Sequence, residues 1–207
     1  MSRLEDWKKE IWDHKHLIAI SLLFLLITIV FDILAGRYVT KVGGVVASDL
    51  ILDNILTMDL NFIFTWGSIL IVAVLFLYPL FFKVKEFHKV ISQFSLLIMV
   101  RAAFTCFTHL GAPSDALVFD VPSLVSLFTF QNDLFFSGHT AVAFLGFLLF
   151  KDKKIKIFFL ISSILMGMTV LLMHVHYSID VFSAFFITYG TFKIGEWFFK
   201  KINHYNS

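Results

Sequence analysis

The chain reads as an all-α protein, an integral membrane bundle of six transmembrane helices with an N-terminal interfacial amphipathic helix. Three observations carry that reading. Of 207 residues, 58% are hydrophobic and only 15% charged, and the mean hydropathy is +0.85, far outside the range of soluble globular chains. Apolar windows close to the roughly 20 residues of a spanning helix recur along the sequence. The lysines and arginines fall in alternate connecting segments, as the positive-inside rule requires. A formal net charge of +2 gives no basis for a nucleic-acid partner, and topology accounts for the basic residues.

Residues 1–16 come first as an interfacial helix. Leu4, Trp7, Ile11 and Trp12 recur near helical spacing among Glu5, Asp6, Lys8, Lys9 and Glu10, the pattern of a helix lying on the cytoplasmic surface. Residues 17–207 then form one membrane domain. Its first span, Leu17 to Ala35, follows Trp7, Lys8, Lys9, Trp12 and Lys15 and has no small-residue cleavage site after it, so it is expected to be a retained anchor. Ser48 to Leu60 sets Leu50, Ile51, Ile55 and Leu56 against Asp49, Asp53 and Asp59, which predicts a second interfacial helix on the outer side.

The remaining spans are expected at Phe62 to Phe82, Val90 to Leu110, Phe135 to Phe150, Ile157 to Met173 and Ile179 to Phe199. Cys106, the lone cysteine, falls in the third span and reads as a small buried apolar group with no disulfide partner. One set of segments carries Arg3, Lys8, Lys9 and Lys15, then Lys83, Lys85 and Lys89, then Lys151, Lys153, Lys154 and Lys156, and finally Lys193, Lys200 and Lys201. The opposite set holds Arg37 and Lys41, with Asp115, Asp120 and Asp133 in a loop that has no basic residue. Both termini are therefore expected in the cytoplasm. Short loops without trafficking signals fit a bacterial cytoplasmic membrane, although an endomembrane protein with a lumenal site would show the same lysine pattern.

Two histidine-bearing turns meet at the outer end of this layout. Ser137, Gly138 and His139 open the fourth span, and His174 to Asp180 forms the turn before the sixth. His176 and Asp180 are four residues apart, so on a helix they share one face, and the carboxylate can hold one imidazole nitrogen while the other stays an unprotonated nucleophile. His139 then supplies the complementary acid for a leaving alkoxide. Ser137, Gly138 and the free amides of the helix start suit a phosphate, and Gly138 allows close approach.

Arg101 interrupts the third span, where a charge costs about 2.5–3.5 kcal/mol, so it should clamp a phosphate or pair with Asp32 or Asp180. Thr105 and His109 continue a polar stripe from it, and Asp133, Thr140 and Tyr177 are further pocket candidates. Taken singly, His109 and His174 read more simply as interfacial side chains. A metal on His139, His174, His176 and Asp180 is the weaker alternative, because the His-Val-His spacing alone carries little. No metal or other cofactor is expected.

The stretches DLFFSGHT, Asp133 to Thr140, and HVHYSIDVFSAFFIT, His174 to Thr188, resemble the two signature motifs of the sphingomyelin synthase-related family, within the type-two phosphatidic acid phosphatase superfamily. RAAFTCFTHLGAP, Arg101 to Pro113, is similar to that family's preceding arginine motif. The resemblance covers roughly the C-terminal half, in the same order and with the same six-span layout. It implies His176 as nucleophile, Asp180 as its orienting partner, His139 as general acid, and a metal-free phosphohistidine-type intermediate on the outer or lumenal face.

The departures bear on substrate. The superfamily's phosphatases carry Lys-x6-Arg-Pro, Pro-Ser-Gly-His and Ser-Arg-x5-His-x3-Asp. Here no Arg-Pro pair exists, Phe136 replaces the proline, and Thr169 and Val170 stand where Ser-Arg would be. Much of the basic clamp for a phosphomonoester dianion is missing. The leading expectation is a lipid phosphotransferase moving a phospho-head group from a phospholipid donor to a lipid alcohol or water. The alternatives are a phosphatase acting on phosphatidic acid or a polyprenyl (pyro)phosphate, and, in another class, a non-catalytic lipid-binding membrane protein.

Overall fold

A computed structural model describes residues 3–117 and 130–205, with side chains over 5–117 and 130–198. Asp120 and the side chains of Arg3, Leu4, Phe199, Lys200 and Lys201 lie outside the described residues. The helices are α1 (Arg3–Asp13), α2 (Lys15–Val42), α3 (Ser68–Phe82, preceded by a π-helical turn, Ile63–Gly67), α4 (Val84–Phe107), α5 (Gly138–Leu149), α6 (Lys153–Leu172) and α7 (Ser178–Tyr205). Among the described residues, four segments, Lys15–Val42, Ile63–Phe82, Val84–Phe107 and Lys153–Leu172, are long and apolar enough to cross a membrane. The chain is an integral membrane protein of all-helical architecture.

The expected fourth span departs most. Phe135 to Phe150 yields only α5, whose 12 residues rise roughly 18 Å against a hydrocarbon core of roughly 30 Å. The cause is local: Phe135 and Phe136 turn their carbonyls sideways to accept from Thr105 Oγ1 and Arg101 Nε, at 2.8 and 3.0 Å, and so cannot continue a helix. Helix α7 runs for 28 residues and carries Asp180, Lys193 and Glu196 along its length.

Helix α2 runs past Ala35 to Val42, so Arg37 and Lys41 ride on its last turns and not in a loop. Gly43 stops it with φ +80°, the left-handed conformation that glycine adopts without penalty, and its N–H returns to Val39 O. Ser21, Thr28 and Ala35, seven residues apart, are buried on one stripe of α2. These small side chains let it lie close against α4, with Thr28 Oγ1 reaching Ser95 O at 3.4 Å. The other faces of α2 expose Leu22, Leu23, Leu26, Ile27, Val30 and Leu34, as lipid contact requires. At the lysine-rich end, Trp7 Nε1 of α1 donates to Leu80 O at 2.8 Å, which fixes α1 against the α3–α4 corner.

The second interfacial helix expected at Ser48 to Leu60 does not form. Only one 3₁₀ turn, Leu52–Asn54, appears, because the Asp49 carboxylate takes the Ile51 and Leu52 amides at 2.9 and 3.1 Å and turns the chain there. Its other oxygen accepts from both the N–H and the Oγ of Ser178, at 2.7 and 2.8 Å. Asp49 thus caps the first turn of α7 from a distant loop.

Two more ties knit the loops at this end into one layer. Tyr177 Oη donates to Gly111 O at 2.9 Å and accepts from Ala47 N–H at 3.1 Å. Val45 and Leu110 pair as a short parallel bridge. There the backbones approach so closely that a Cβ on Gly44 would stand 2.3 Å from Gly111 N.

Burial pushes the Asp49 carboxyl up, but the Ser178 hydroxyl and amide and the Leu52 and Ile51 amides outweigh it and hold it below the usual carboxylate range. A carboxyl depressed on folding stabilises the protein above its unfolded value of about 3.9, and that contribution is lost as pH falls through the lower folded value. Asp49→Ala should therefore cost about 1–3 kcal/mol at neutral pH by leaving buried donors unpaired. Thermal unfolding in detergent against pH checks this: the gap between wild type and variant should be constant well above the unfolded carboxyl value of about 3.9 and shrink as pH falls below it.

Candidate active site

Helix α5 begins at Gly138 because Ser137 caps it, its Oγ accepting the Thr140 N–H at 3.5 Å and the Thr140 hydroxyl at 3.2 Å. The first turn then delivers His139, whose ring packs on Phe64 from the π-helical turn before α3, with centroids 4.4 Å apart. The His139 Nδ1 finds no partner among the described residues. A π turn widens the helix by one residue, and here it lets Phe64 and Ser68 both face the same cavity.

His176 arrives from the other side. Helix α6 closes with the Val175 N–H bonded to Val170 O and the His174 N–H to Leu171 O, at 3.1 and 3.0 Å, a Schellman closure with His174 in the left-handed position at φ 55°. The chain then turns into α7, and His176 Nδ1 donates to Asp180 Oδ2 at 3.3 Å. The same oxygen accepts the Tyr177 N–H at 3.0 Å. Asp180 is fully buried, so its carboxylate holds the proton on His176 Nδ1 and leaves Nε2 with a lone pair. The His139 and His176 rings stand 6.2 Å apart at their centroids, and the Ser137 N–H donates to Asp180 O at 3.1 Å, locking the starts of α5 and α7 together.

Arg101 rises from α4 beneath this pair. Its Nη1 pairs with Asp133 Oδ2 at 2.9 Å, its Nη2 donates to Asp133 O at 3.0 Å, and its Nε to Phe136 O at 3.0 Å. Its partner is thus Asp133, and neither Asp32 nor Asp180. Of the five guanidinium N–H groups, two stay available to the cavity it lines. A Cβ on Gly138 would come within 3.1 Å of Arg101 Nε, so the glycine before His139 leaves the guanidinium room beside the helix start.

Arg101, Gly138, His139 and His176 line one cavity of about 750 Å³ together with Asp32, Asn132 and Asp133. Most of its remaining wall is apolar, formed by residues such as Ile71, Val72, Ile98 and Val142. Six expected site residues stand outside that lining, among them Asp180, which is buried behind His176. Ser137 is fully buried as the cap, Thr140 bonds to it, Thr105 is tied to Arg101 O and Phe135 O, Tyr177 holds two loops together, and His109 is exposed beside the Tyr38 ring.

His174 is not an interfacial side chain. It is buried, with Nδ1 at 2.7 Å from Asp115 Oδ2, so it fastens the loop that carries Ala112, Pro113 and Ala116 to the wall of the cavity. Among the described residues no group of three or more His, Cys, Asp or Glu converges as a metal site would need.

The fold and site together define an integral membrane bundle with a His–His–Asp constellation facing an amphipathic cavity. Residues 132–197 match the family described as PAP2 superfamily C-terminal, which supports the type-two phosphatidic acid phosphatase superfamily. The matched stretch contains His139, His176 and Asp180 and starts after Arg101. No curated protein and no solved structure matches the chain.

Because Arg101 is buried, removing its counter-charge should be costly. Asp133→Ala should destabilise the protein by about 3 kcal/mol, with Arg101→Met plus Asp133→Ala less destabilised than the two single effects added. Denaturant unfolding in detergent, run as a double-mutant cycle, measures both.

Proposed function

We propose that the chain is a lipid phosphotransferase, moving a phospho-head group from a phospholipid to a lipid alcohol or water through a phosphohistidine-type intermediate. The observation that carries this is the convergence of His139 and His176 on one amphipathic cavity, with only His176 backed by a carboxylate. The site lies on the outer face, both termini lie in the cytoplasm, and α1 rests on the inner surface; the lysine distribution supports this placement. The donor enters from the bilayer with its chains along the apolar wall and its phosphate near Arg101.

In the first step the His176 Nε2 lone pair forms a bond to phosphorus. The bond from phosphorus to the glycerol oxygen breaks, and the departing alkoxide takes a proton from His139, giving diacylglycerol. In the second step an acceptor hydroxyl attacks phosphorus and gives its proton to His139. The phosphorus–nitrogen bond breaks, its electron pair returns to Nε2, and both histidines are restored.

The second reading is a phosphatase, favoured by the superfamily match over residues 132–197. Head-group transfer is preferred because Arg101, the cation among the described lining residues, is already paired with Asp133 and leaves little positive charge for a dianion.

Diacylglycerol release from phosphodiester lipids in liposomes should fall roughly 10³-fold or more in His176→Ala, and on the order of 10²- to 10⁴-fold in Asp180→Asn, where the wrong tautomer forms. Undiminished release by His176→Ala would remove it as nucleophile. Inorganic phosphate released from phosphatidic acid, with no diester cleaved, would make the protein a phosphatase.

A further inference from the structure

Among the described residues, two non-glycine positions take the left-handed backbone conformation, His174 at φ 55° and Asn132 at φ 62°. A Cβ is strained there, whereas glycine is not. A side chain kept at such a place calls for a use of that side chain. His174 has one, because its ring holds Asp115 at 2.7 Å. Asn132 has none within the fold: its carboxamide forms no hydrogen bond with the described residues.

The place of Asn132 gives that use. It lines the cavity next to Asp133, whose carboxylate and carbonyl hold Arg101. A phosphoryl group between Arg101 and the two histidines presents its non-bridging oxygens to this lining, and their charge has to be met by donors already in place when phosphorus becomes five-coordinate. The hydroxyls of this region are committed elsewhere. Ser137 is fully buried as the α5 cap, and the Thr105 and Ser68 hydroxyls donate to backbone carbonyls. Gln131, the other amide on the lining, is exposed. Asn132 is partly buried, uncharged, and has both of its amide hydrogens to give.

We propose that Asn132 is a further catalytic residue. Its side-chain N–H donates to one non-bridging oxygen of the phosphoryl group while the bond from His176 Nε2 to phosphorus forms and the bond from phosphorus to the glycerol oxygen breaks. The amide keeps its proton, and proton transfer stays with His139. This rests on the head-group transfer reading and adds to it a neutral donor for charge that Arg101, already paired with Asp133, takes up only in part.

Full-length wild type, Asn132→Gly and Asn132→Asp, in mixed micelles, would be compared for diacylglycerol release from phosphatidylcholine and phosphatidylglycerol. Glycine keeps the turn and removes the amide, so Asn132→Gly should unfold within a few degrees of wild type. Its kcat should nevertheless fall on the order of 10²-fold, with KM changed by less than about threefold. Asn132→Asp also tolerates the left-handed backbone and should lose at least as much, because a carboxylate has no N–H to give.

Phosphorothioate analogues of the same lipids locate the hydrogen bond. The Rp and Sp forms carry sulfur in place of one non-bridging oxygen or the other, and Asn132→Gly should shift the ratio of their rates by about threefold or more. An unchanged ratio, whatever happens to kcat, overturns the donor role of Asn132 and leaves the transfer reading standing. Wild type that releases phosphate from phosphatidic acid and cleaves no diester defeats the transfer reading. The kcat of Asn132→Gly on phosphatidic acid then decides the role of Asn132, a loss on the order of 10²-fold keeping it and an unchanged value removing it. Turnover of none of these lipids by wild type overturns both.

Discussion

A guanidinium inside a bundle of apolar helices has to be met by acceptors from its own chain, and the way Arg101 is met organises this site. Asp133 contributes both a side-chain oxygen and its carbonyl, and Phe136 contributes another carbonyl. Carbonyls used sideways cannot serve a helical ladder, so residues 133–136 stay irregular and α5 starts at Gly138. That late start puts Ser137 at the cap and His139 in the first turn, on the lining of the cavity. The absent side chain of Gly138 then lets the helix start sit directly on the guanidinium. Helix register, cap and catalytic candidate thus follow from one buried cation.

Asp180 plays the matching part behind His176. Its carboxylate sets the tautomer of His176, and its carbonyl accepts the Ser137 amide. One residue therefore both orients one histidine and anchors the cap that precedes the other. The separation of the two rings is set by short covalent and hydrogen-bonded links, and does not depend on distant helix packing. The loop layer reinforces it, because Asp49, Tyr177 and the His174–Asp115 pair tie the loops that follow α2 and α4 to residues 174–178. Preorganisation of this kind keeps a nucleophile aimed without a conformational search.

Much of this was legible in the sequence where a signal is local. Apolar windows located four crossing segments, and the spacing of His176 and Asp180 gave their hydrogen bond. The i, i+4 relation needs no tertiary knowledge. The errors arose where a side chain is used at long range. Asp49 looked like the polar face of an interfacial helix, yet one of its carboxylate oxygens turns the local chain and the other serves an amide 129 residues away. Arg101 was expected to clamp a phosphate or, alternatively, to pair with Asp32 or Asp180, both within apolar segments, but Asp133 reached it from an irregular stretch that hydropathy counted as nearly part of a span. Ser137 was read as a phosphate donor because caps and anion sites share residue types. Its complete burial assigns it to the cap.

The difference between the two histidines is the feature a two-step transfer most depends on. A symmetric pair, each with its own carboxylate, would leave either ring able to attack and neither committed to carrying the proton. Here Asp180 fixes the Nδ1 proton of His176, so its Nε2 is a lone pair in every cycle. His139 has an aromatic ring against one face and no acceptor at Nδ1. Nothing in its surroundings commits it to one tautomer, so it can give a proton to a leaving alkoxide and later take one from an incoming hydroxyl. In the proposed transfer, the division of labour follows from where the carboxylate that backs one histidine lies.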